Sequence, residues 1–245
     1  YRSPARWPCH RCARESAGTP RGFYLGAKGG HNAESHNHND VGTFIVYNDG
    51  RPLIVDAGVG TYTRQTFSNT RYDLFTMRSA YHNVPTINGY EQKEGEEYRS
   101  SRANCSHGNR NSSLTLDIAN AYPGEAGIVS WNRNIRLERP DTIFLTDVYE
   151  VDRIRDRFYQ HLMTPSLVDD KTPGTLILTG RDLPDNLMTG SGTILYDAEH
   201  FRPHVEPIEI DDPRLAGIWG SVLYRVNLRA LAPKPKDSWR LRIIK

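Results

Sequence analysis

Short alternating segments separated by turn residues are the feature of this sequence that most constrains its fold. Trp131, Arg133, Ile135 and Leu137 alternate with four polar residues, and the same period of two recurs over 239–243. Successive side chains of a strand point to opposite faces of a sheet, so this pattern predicts half-buried antiparallel strands. Many such segments in one chain predict an all-β fold, a large antiparallel β-sandwich.

Turn signals divide the alternating segments. Asp49-Gly50 separates an apolar run at 41–47 from a second run at 52–55. This arrangement is typical of a β-hairpin, because an Asp-Gly step supplies the positive φ that a tight turn needs. Asn88-Gly89 predicts a second turn of the same kind. Helical periodicity is weak, and we expect only one or two helical turns within 66–80.

The first 21 residues differ in composition from the rest. Five arginines are spread without a period among Pro, Ser, Gly and Cys. We therefore expect an irregular basic segment over 1–21, followed by one β-sandwich domain over 22–245. Cys9 and Cys12 form a single Cys-x-x-Cys, and the absence of a second pair favours an incidental spacing over a redox or zinc site.

Charge and hydropathy argue against a nucleic-acid partner and against a membrane span. The 31 Lys+Arg residues nearly balance 29 Asp+Glu, which leaves a net charge of +2 and does not indicate a nucleic-acid partner. No apolar run approaches the length of a membrane span.

No signal peptide is visible, and the sequence starts at Tyr1, so we expect a fragment or a processed form.

The densest group of polar residues is Glu34-Ser35-His36-Asn37-His38-Asn39-Asp40, directly before a predicted strand. In an extended segment His36, His38 and Asp40 would share one face. Two imidazoles at positions i and i+2 can reach one metal ion, although a histidine-rich loop without a metal gives the same string. The spacing leaves open whether one or both histidines bind a metal and whether one faces a substrate.

Two further residues strengthen the case for a metal. Asp56 follows the apolar run of the predicted hairpin, and a hairpin brings its strand ends together, so this carboxylate can reach the histidine segment. The alternative is a turn aspartate that accepts hydrogen bonds from its own backbone. His82 precedes the next predicted strand and turn. Two imidazoles and a carboxylate fit zinc better than calcium or magnesium, which prefer oxygen ligands.

Basic and aromatic residues between these elements are candidates for contacts with an acidic sugar. Arginine pairs with carboxylate or sulfate, and tyrosine stacks on sugar rings or donates a hydrogen bond, although ordinary surface positions are the alternative. The candidates are Tyr62, Arg64, Arg71, Tyr72, Arg78 and Tyr81.

Other prominent residues are expected to be structural. Trp131, Trp219 and Trp239 lie in strand-like patterns, which favours packing in the core. His161 is expected to be a hydrogen-bonded strand residue and not a metal ligand.

Four strings, in their order and spacing, resemble the heparinase II/III family of polysaccharide lyases. They are Ser35–Gly42, Pro52–Tyr62, Arg71-Tyr72 and Ser79–Gly89. The resemblance implies the C-terminal antiparallel β-sandwich of an enzyme that joins it to an N-terminal α/α toroid. Such enzymes cleave uronic-acid polysaccharides by β-elimination in the cleft between the two domains.

The resemblance also implies roles for individual residues. His38, Asp56 and His82 would hold a Zn²⁺ ion, and His36 would face the substrate as a catalytic or charge-stabilising histidine. Tyr72 is similar to a substrate-contacting tyrosine, and Arg78 is our second candidate for substrate binding. The implied polysaccharide is heparin- or heparan-like, alginate-like or related, and the implied location is periplasmic or secreted in a bacterium.

The sequence departs from the family in one respect. The family takes its principal catalytic tyrosine, and an Asn or His that neutralises the uronate carboxylate, from the toroid, and this sequence contains no toroid. Two alternatives therefore stand beside a lyase. One is a non-catalytic carbohydrate-binding β-sandwich with a structural metal. The other is a metal-dependent hydrolase that acts through zinc-bound water.

Overall fold

The computed structural model describes residues 10–245, and antiparallel strands dominate this part of the chain. Every strand pairing within it is antiparallel, which confirms the all-β prediction. In chain order the strands are β1 (His10–Arg14), β2 (Phe23–Lys28), β3 (His31–Asn32), β4 (Phe44–Asn48), β5 (Arg51–Ile54), β6 (Pro85–Thr86), β7 (Gly95–Arg99), β8 (Ser101–His107), β9 (Asn111–Asp117), β10 (Ile128–Glu138), β11 (Thr142–Val151), β12 (Tyr159–Thr164), β13 (Leu167–Asp169), β14 (Thr175–Thr179), β15 (Gly192–Leu195), β16 (Phe201–Glu209), β17 (Val222–Ala230) and β18 (Lys236–Ile244).

These strands form four sheets. The largest has eight strands in the order β13-β14-β15-β18-β11-β10-β9-β8. Two four-stranded sheets have the orders β1-β2-β4-β5 and β16-β17-β12-β6, and β3 pairs with β7. One large hydrophobic core takes side chains from the eight-stranded sheet and from both four-stranded sheets. This is the sandwich arrangement that the alternating pattern predicts.

Aromatic rings fill the centre of the large core. Trp131 on β10 stacks on Tyr149 with ring centroids 4.4 Å apart, and Trp239 on β18 meets both rings edge-on at 5.1 Å. All three side chains are buried. Trp219 is buried in a second, smaller core, where its indole N–H donates to the carbonyl of Ala57 at 2.9 Å. The prediction that the tryptophans pack in the core is confirmed.

The hairpin β4–β5 positions the candidate site. Asp49 and Gly50 both have positive φ, 51° and 76°, as a tight two-residue turn requires. Strand β4 begins at Phe44, later than the predicted run at 41–47, because Thr43 N donates to Asp40 O at 2.9 Å and closes a turn just before it. The Asn88-Gly89 turn is also present, with φ of 52° and 79°.

The expectation of an irregular segment over 1–21 is wrong for His10–Arg14. These residues form β1, which pairs with β2 from His10↔Lys28 to Arg14↔Tyr24. β1 is the edge strand of its sheet, where charged side chains can stay in water and need no apolar alternation. Cys9 lies outside the described residues, and Cys12 is exposed on β1 with its sulfur 2.9 Å from the Tyr24 hydroxyl. The domain boundary at residue 22 stays a prediction.

Helical structure is sparse. Seven short 3-10 turns are present among the described residues. Four of them cover Gln65–Phe67, Arg71–Asp73, Phe75–Met77 and Ser79–Tyr81, close to where we expect one or two turns, and the others are Ala119–Ala121, Gly124–Ala126 and Pro184–Asn186. The α-helix α1 (Pro213–Trp219) ends at Trp219, a residue that we expect in a strand-like pattern, so that expectation is wrong for Trp219. Among the described residues, no helix combines the length and apolarity that crossing a membrane requires.

Candidate metal centre

Three separate segments bring His38, Asp56 and His82 together. His38 lies in the irregular segment before β4, Asp56 follows β5, and His82 follows the 3-10 turn Ser79–Tyr81. One ligand atom from each residue lies within 4.8 Å of the other two. His82 Nδ1 is 2.9 Å from Asp56 Oδ2, and His38 Nδ1 is 4.0 Å from Asp56 Oδ1. The sequence-predicted trio therefore forms one cluster.

Packing directs the Asp56 side chain to this cluster. Val55 and Ala57, on either side of it, are buried in the second core with Trp219 and Leu215. Because neighbouring side chains in an extended segment point to opposite sides, burial of both neighbours turns Asp56 away from that core. The carboxylate then faces the two histidines.

Asp56 also satisfies the alternative interpretation of its position. Its Oδ1 accepts a hydrogen bond from Gly58 N at 2.8 Å, which is the bond of a turn aspartate. Its Oδ2 lies 2.9 Å from His82 Nδ1, within hydrogen-bond distance. The two interpretations coexist because a carboxylate has two oxygens, and the turn holds the group in place for the cluster.

The electrostatics of the cluster favour the metal-binding protonation states of Asp56 and His38, whereas His82 would release a proton on binding a metal ion. Burial raises the pKa of Asp56, but the charges of His82 and His38 and the hydrogen bonds from His82 and Gly58 outweigh it, and the net pKa falls well below its ordinary value. Burial lowers the pKa of His38 more than Asp56 raises it. For His82, burial lowers the pKa and Asp56 raises it, with a net increase. An ionised carboxylate beside a neutral His38 is ready to bind a cation.

The residues present fit a zinc ion. Two imidazoles and a carboxylate are a common donor set for zinc with one position left open. Tetrahedral ligand atoms about 2.0–2.1 Å from zinc lie about 3.3 Å from one another. The distances of 2.9 Å and 4.0 Å from Asp56 to His82 and His38 lie on either side of that value. Among the described residues, buried His82 Nε2 has no hydrogen-bond partner, which is unusual for a buried ring nitrogen.

His36 lies outside the cluster of three. The backbone at His36 has φ of 59°, so the segment is not extended and the prediction of a face shared by His36, His38 and Asp40 is wrong. Asp40 forms an ion pair with Lys28 on β2 instead. The His36 side chain is exposed, and its ring centroid is 5.9 Å from that of Tyr62. Of the two histidines, only His38 joins Asp56 and His82.

Tyr72 lies beside the histidine segment. Asn37 Nδ2 donates to the Tyr72 hydroxyl at 3.4 Å, and Arg71 Nη2 donates to the Asn37 carbonyl at 2.6 Å. Arg71 Nη1 also donates a hydrogen bond to Thr66 O at 3.0 Å. The 3-10 turn at 71–73 is thereby tied to the loop that carries His36 and His38, and Tyr72 stays a predicted substrate contact.

Arg78 has a carboxylate partner within the protein. Its guanidinium forms an ion pair with Glu91, and its Nε donates to Glu91 Oε2 at 3.4 Å. The guanidinium carbon also lies 5.6 Å from the ring centroid of Tyr81. The pair with Glu91 compensates the charge that we expected to face an acidic substrate, and substrate binding by Arg78 stays a prediction.

Asn83 is a structural residue of the site that was not predicted from the sequence. Its side-chain nitrogen donates to Phe44 O at 2.6 Å and to Val55 O at 3.0 Å, and its side-chain oxygen accepts from Met163 N at 2.7 Å. Val55 precedes Asp56, and Asn83 follows His82. One buried amide thus links two of the three ligand segments.

Arg133 extends this network to the third segment. Its Nη1 donates to Gly42 O at 3.1 Å and to Asn83 O at 2.9 Å, and the side chain is 0% exposed. Asp147 compensates the charge at 2.8 and 2.7 Å, and Gln160 accepts at 2.5 Å. A charged residue at an apolar position of the β10 alternation was the available signal, because a buried charge needs partners.

Comparison with known families decides the classification. The profile of the family described as "Heparinase II/III-like, C-terminal" matches residues 23–181. The chain belongs to this heparinase II/III-like family, as its C-terminal domain. Comparison with curated proteins gives no match.

Solved heparinase structures share the fold. The heparan sulfate lyase HepC from Pedobacter heparinus superposes with a TM-score of 0.67 at 17% identity, covering 91% of this chain and 33% of that one. A heparinase III gene product gives 0.72 at 13% identity, covering 99% of this chain and 35% of that one. The chain therefore spans about a third of the length of these structures.

Proposed function

We propose that this chain is the zinc-binding C-terminal part of a polysaccharide lyase that cleaves uronic-acid polysaccharides by β-elimination. The observation that carries the proposal is the His38–Asp56–His82 cluster, with the exposed His36 two residues from one of its members. Membership of the heparinase II/III-like family supports it. Heparin- or heparan-like, alginate-like and related polysaccharides are the candidate substrates.

The chemistry of β-elimination defines what the protein must provide. The C5 proton of a uronate lies next to a carboxylate, and removal of that proton builds negative charge there. Hydrogen bonds or cations must neutralise this charge before a base can take the proton. A positioned group then protonates the departing glycosidic oxygen, and such acid–base assistance contributes about 10²- to 10⁴-fold in rate.

His36 and Tyr72 suit supporting roles in this reaction. The exposed His36 imidazole can donate to a substrate carboxylate or accept a proton, because its ring is directed to solvent and not into the cluster. The Tyr72 hydroxyl, next to Asn37, can donate to a sugar oxygen from the adjoining turn. The histidine segment between them is fixed by Arg71.

The residues that would hold zinc are His38, Asp56 and His82. When bound, the ion would supply a positive charge and fix the three segments relative to one another, since elimination needs no water nucleophile. The buried side chains of Asn83 and Arg133 already join these segments through hydrogen bonds to their backbone carbonyls. The cluster therefore serves to position the loop that carries His36.

The rest of the enzyme is part of the proposal. Because the solved heparinases are about three times longer than this chain, we place an N-terminal α/α toroid opposite the His36 face. It would supply the principal catalytic tyrosine and the group that neutralises the uronate carboxylate. A periplasmic or secreted location belongs to the same proposal.

Ultraviolet absorbance of the product tests the proposal, because β-elimination leaves an unsaturated uronate. The assay uses a polypeptide that carries this chain behind its toroid, with His36→Ala as the test variant and the exposed His204→Ala on β16 as the matched control. We expect His36→Ala to lower the rate about 10²- to 10⁴-fold and His204→Ala to leave it unchanged.

Two outcomes contradict the lyase proposal. Chain cleavage without the absorbance would indicate a hydrolase. Binding of the polysaccharide without any cleavage would indicate a carbohydrate-binding module with a structural metal.

A further inference from the structure

Two aromatic side chains are exposed in contact with each other beside the histidine segment. Phe67 is 69% exposed and Tyr62 is 44% exposed, and Phe67 is the most exposed large hydrophobic side chain of residues 10–245. Their ring centroids are 5.5 Å apart with an interplanar angle of 35°. Single exposed apolar residues need no explanation, but two neighbouring rings in water form a surface suited to a ligand.

Unpaired positive charge flanks these rings. The guanidinium carbon of Arg214, on α1, lies 5.6 Å from the Tyr62 ring centroid, and Arg64 is exposed on the loop between the two rings. Among the described residues neither arginine forms a salt bridge. This contrasts with Arg78, whose charge is taken up by Glu91. The surface around the rings is therefore suited to an anion.

The loop and the helix that form this surface are held together. The Asp212 carboxylate accepts from Thr61 N at 2.8 Å and from Arg214 N and Leu215 N at 3.0 Å each. One acidic group thus caps α1 and fixes the residue next to Tyr62. Three backbone N–H groups compensate its charge, so Asp212 offers little repulsion to an anionic ligand.

We propose that Tyr62, Phe67 and Arg214 form a subsite for an anionic sugar residue of the polysaccharide chain. The aromatic faces would pack on the C–H face of the sugar ring, and Arg214 would pair with its carboxylate or sulfate. The subsite rests on the proposed function, since the Tyr62 ring is 5.9 Å from that of His36 and the bound sugar would continue the chain that reaches His36. The free arginines favour an anionic sugar over an apolar protein surface.

Affinity electrophoresis of the full chain tests this subsite. Native gels contain heparan sulfate, alginate or a neutral β-glucan. Heparan sulfate carries sulfate and carboxylate and alginate carries carboxylate alone, so retention by alginate shows that carboxylate suffices. Phe67→Ala is matched by Leu167→Ala, an exposed apolar residue on β13, and Arg214→Gln by Arg240→Gln, an exposed arginine on β18. We expect each subsite variant to raise the dissociation constant for at least one uronate polymer about three- to tenfold.

Three results overturn the subsite: equal retention of the subsite variants and their controls, no retention of the unchanged chain in either uronate gel, or equal retention in the neutral gel. Zinc content of the same samples reports separately on the proposed metal centre. A chain without zinc that still loses retention on Phe67→Ala keeps the subsite and contradicts the metal centre. A zinc-loaded chain whose retention is unaltered by Phe67→Ala supports the metal centre and contradicts the subsite.

Discussion

The two carboxylate oxygens of Asp56 contact different groups. Oδ1 accepts from Gly58 N, and Oδ2 lies 2.9 Å from His82 Nδ1. The local turn therefore fixes the carboxylate independently of any ion, while burial of Val55 and Ala57 sets its direction. Such fixed ligands lose little conformational entropy on binding a metal.

His161 determines a predicted pH dependence of stability. Burial lowers its pKa to about 4, and its ring nitrogens lie 2.8 Å from Thr86 Oγ1 and 2.6 Å from Asn227 Oδ1. The unfolded chain, with an ordinary histidine pKa of about 6.5, binds the proton first as the pH falls. The folded state therefore loses stability from about pH 6.5 down to about pH 4, and by pH 5 the loss from this residue is about 2 kcal/mol.

Urea unfolding at pH 7.5 and pH 5 measures this effect against His161→Gln. The variant should lose about 2 kcal/mol less of its free energy of unfolding between the two pH values than the unchanged chain. The comparison isolates His161, because the other eight histidines are common to both chains. Equal losses in the two chains would show that His161 is not buried in its neutral form.

At the scale of elements, the candidate site depends on how three loops are joined. The loops leave different parts of two sheets, and none is held by regular strand pairing at its ligand. Asn83 bridges the carbonyls of Phe44 and Val55, and Arg133 bridges those of Gly42 and Asn83. A small buried network thus takes the place of a sheet in fixing the ligand segments.

Asn83→Ser tests whether this network positions the metal ligands. Asn88→Ser is the control, because Asn88 is also buried and donates to two carbonyls, those of Ala126 and Arg153, away from the cluster. Both variants should lose about 1–3 kcal/mol of stability. Only Asn83→Ser should weaken zinc binding, by about 10- to 100-fold in titration with a competing chelator. Equal zinc affinity of the two variants would reduce Asn83 to a purely structural residue.

At the scale of the whole molecule, the fold could be predicted wherever alternation and turn chemistry coincide. The β10 alternation and the Asp49-Gly50 hairpin are local signals, and both are present as predicted. β1 escaped prediction because an edge strand with charged side chains carries no apolar period. Helix α1 was not predicted because its seven residues are too few to show a helical period.

The candidate site, like the fold, could be predicted from the sequence only in part. The predicted hairpin places Asp56 near the histidine segment, and His82 is a candidate from its position before the next strand. The family resemblance selects His38 over His36 and so completes the trio. The left-handed backbone at His36 was not, since nothing in a run of polar residues shows where it turns. The partners of Arg133 lie far apart in sequence, so its role emerges only from the packed sheets.

Elemental analysis of zinc in the purified chain shows whether His38, Asp56 and His82 form a metal centre. His38→Ala and Asp56→Asn remove a ligand each, and Asp197→Asn is the matched control, because Asp197 pairs with His200 at 2.7 Å in an exposed position. We expect about one zinc per unchanged chain and per Asp197→Asn chain, and loss of zinc from both ligand variants. A folded unchanged chain without zinc, or ligand variants that keep it, would contradict the metal centre.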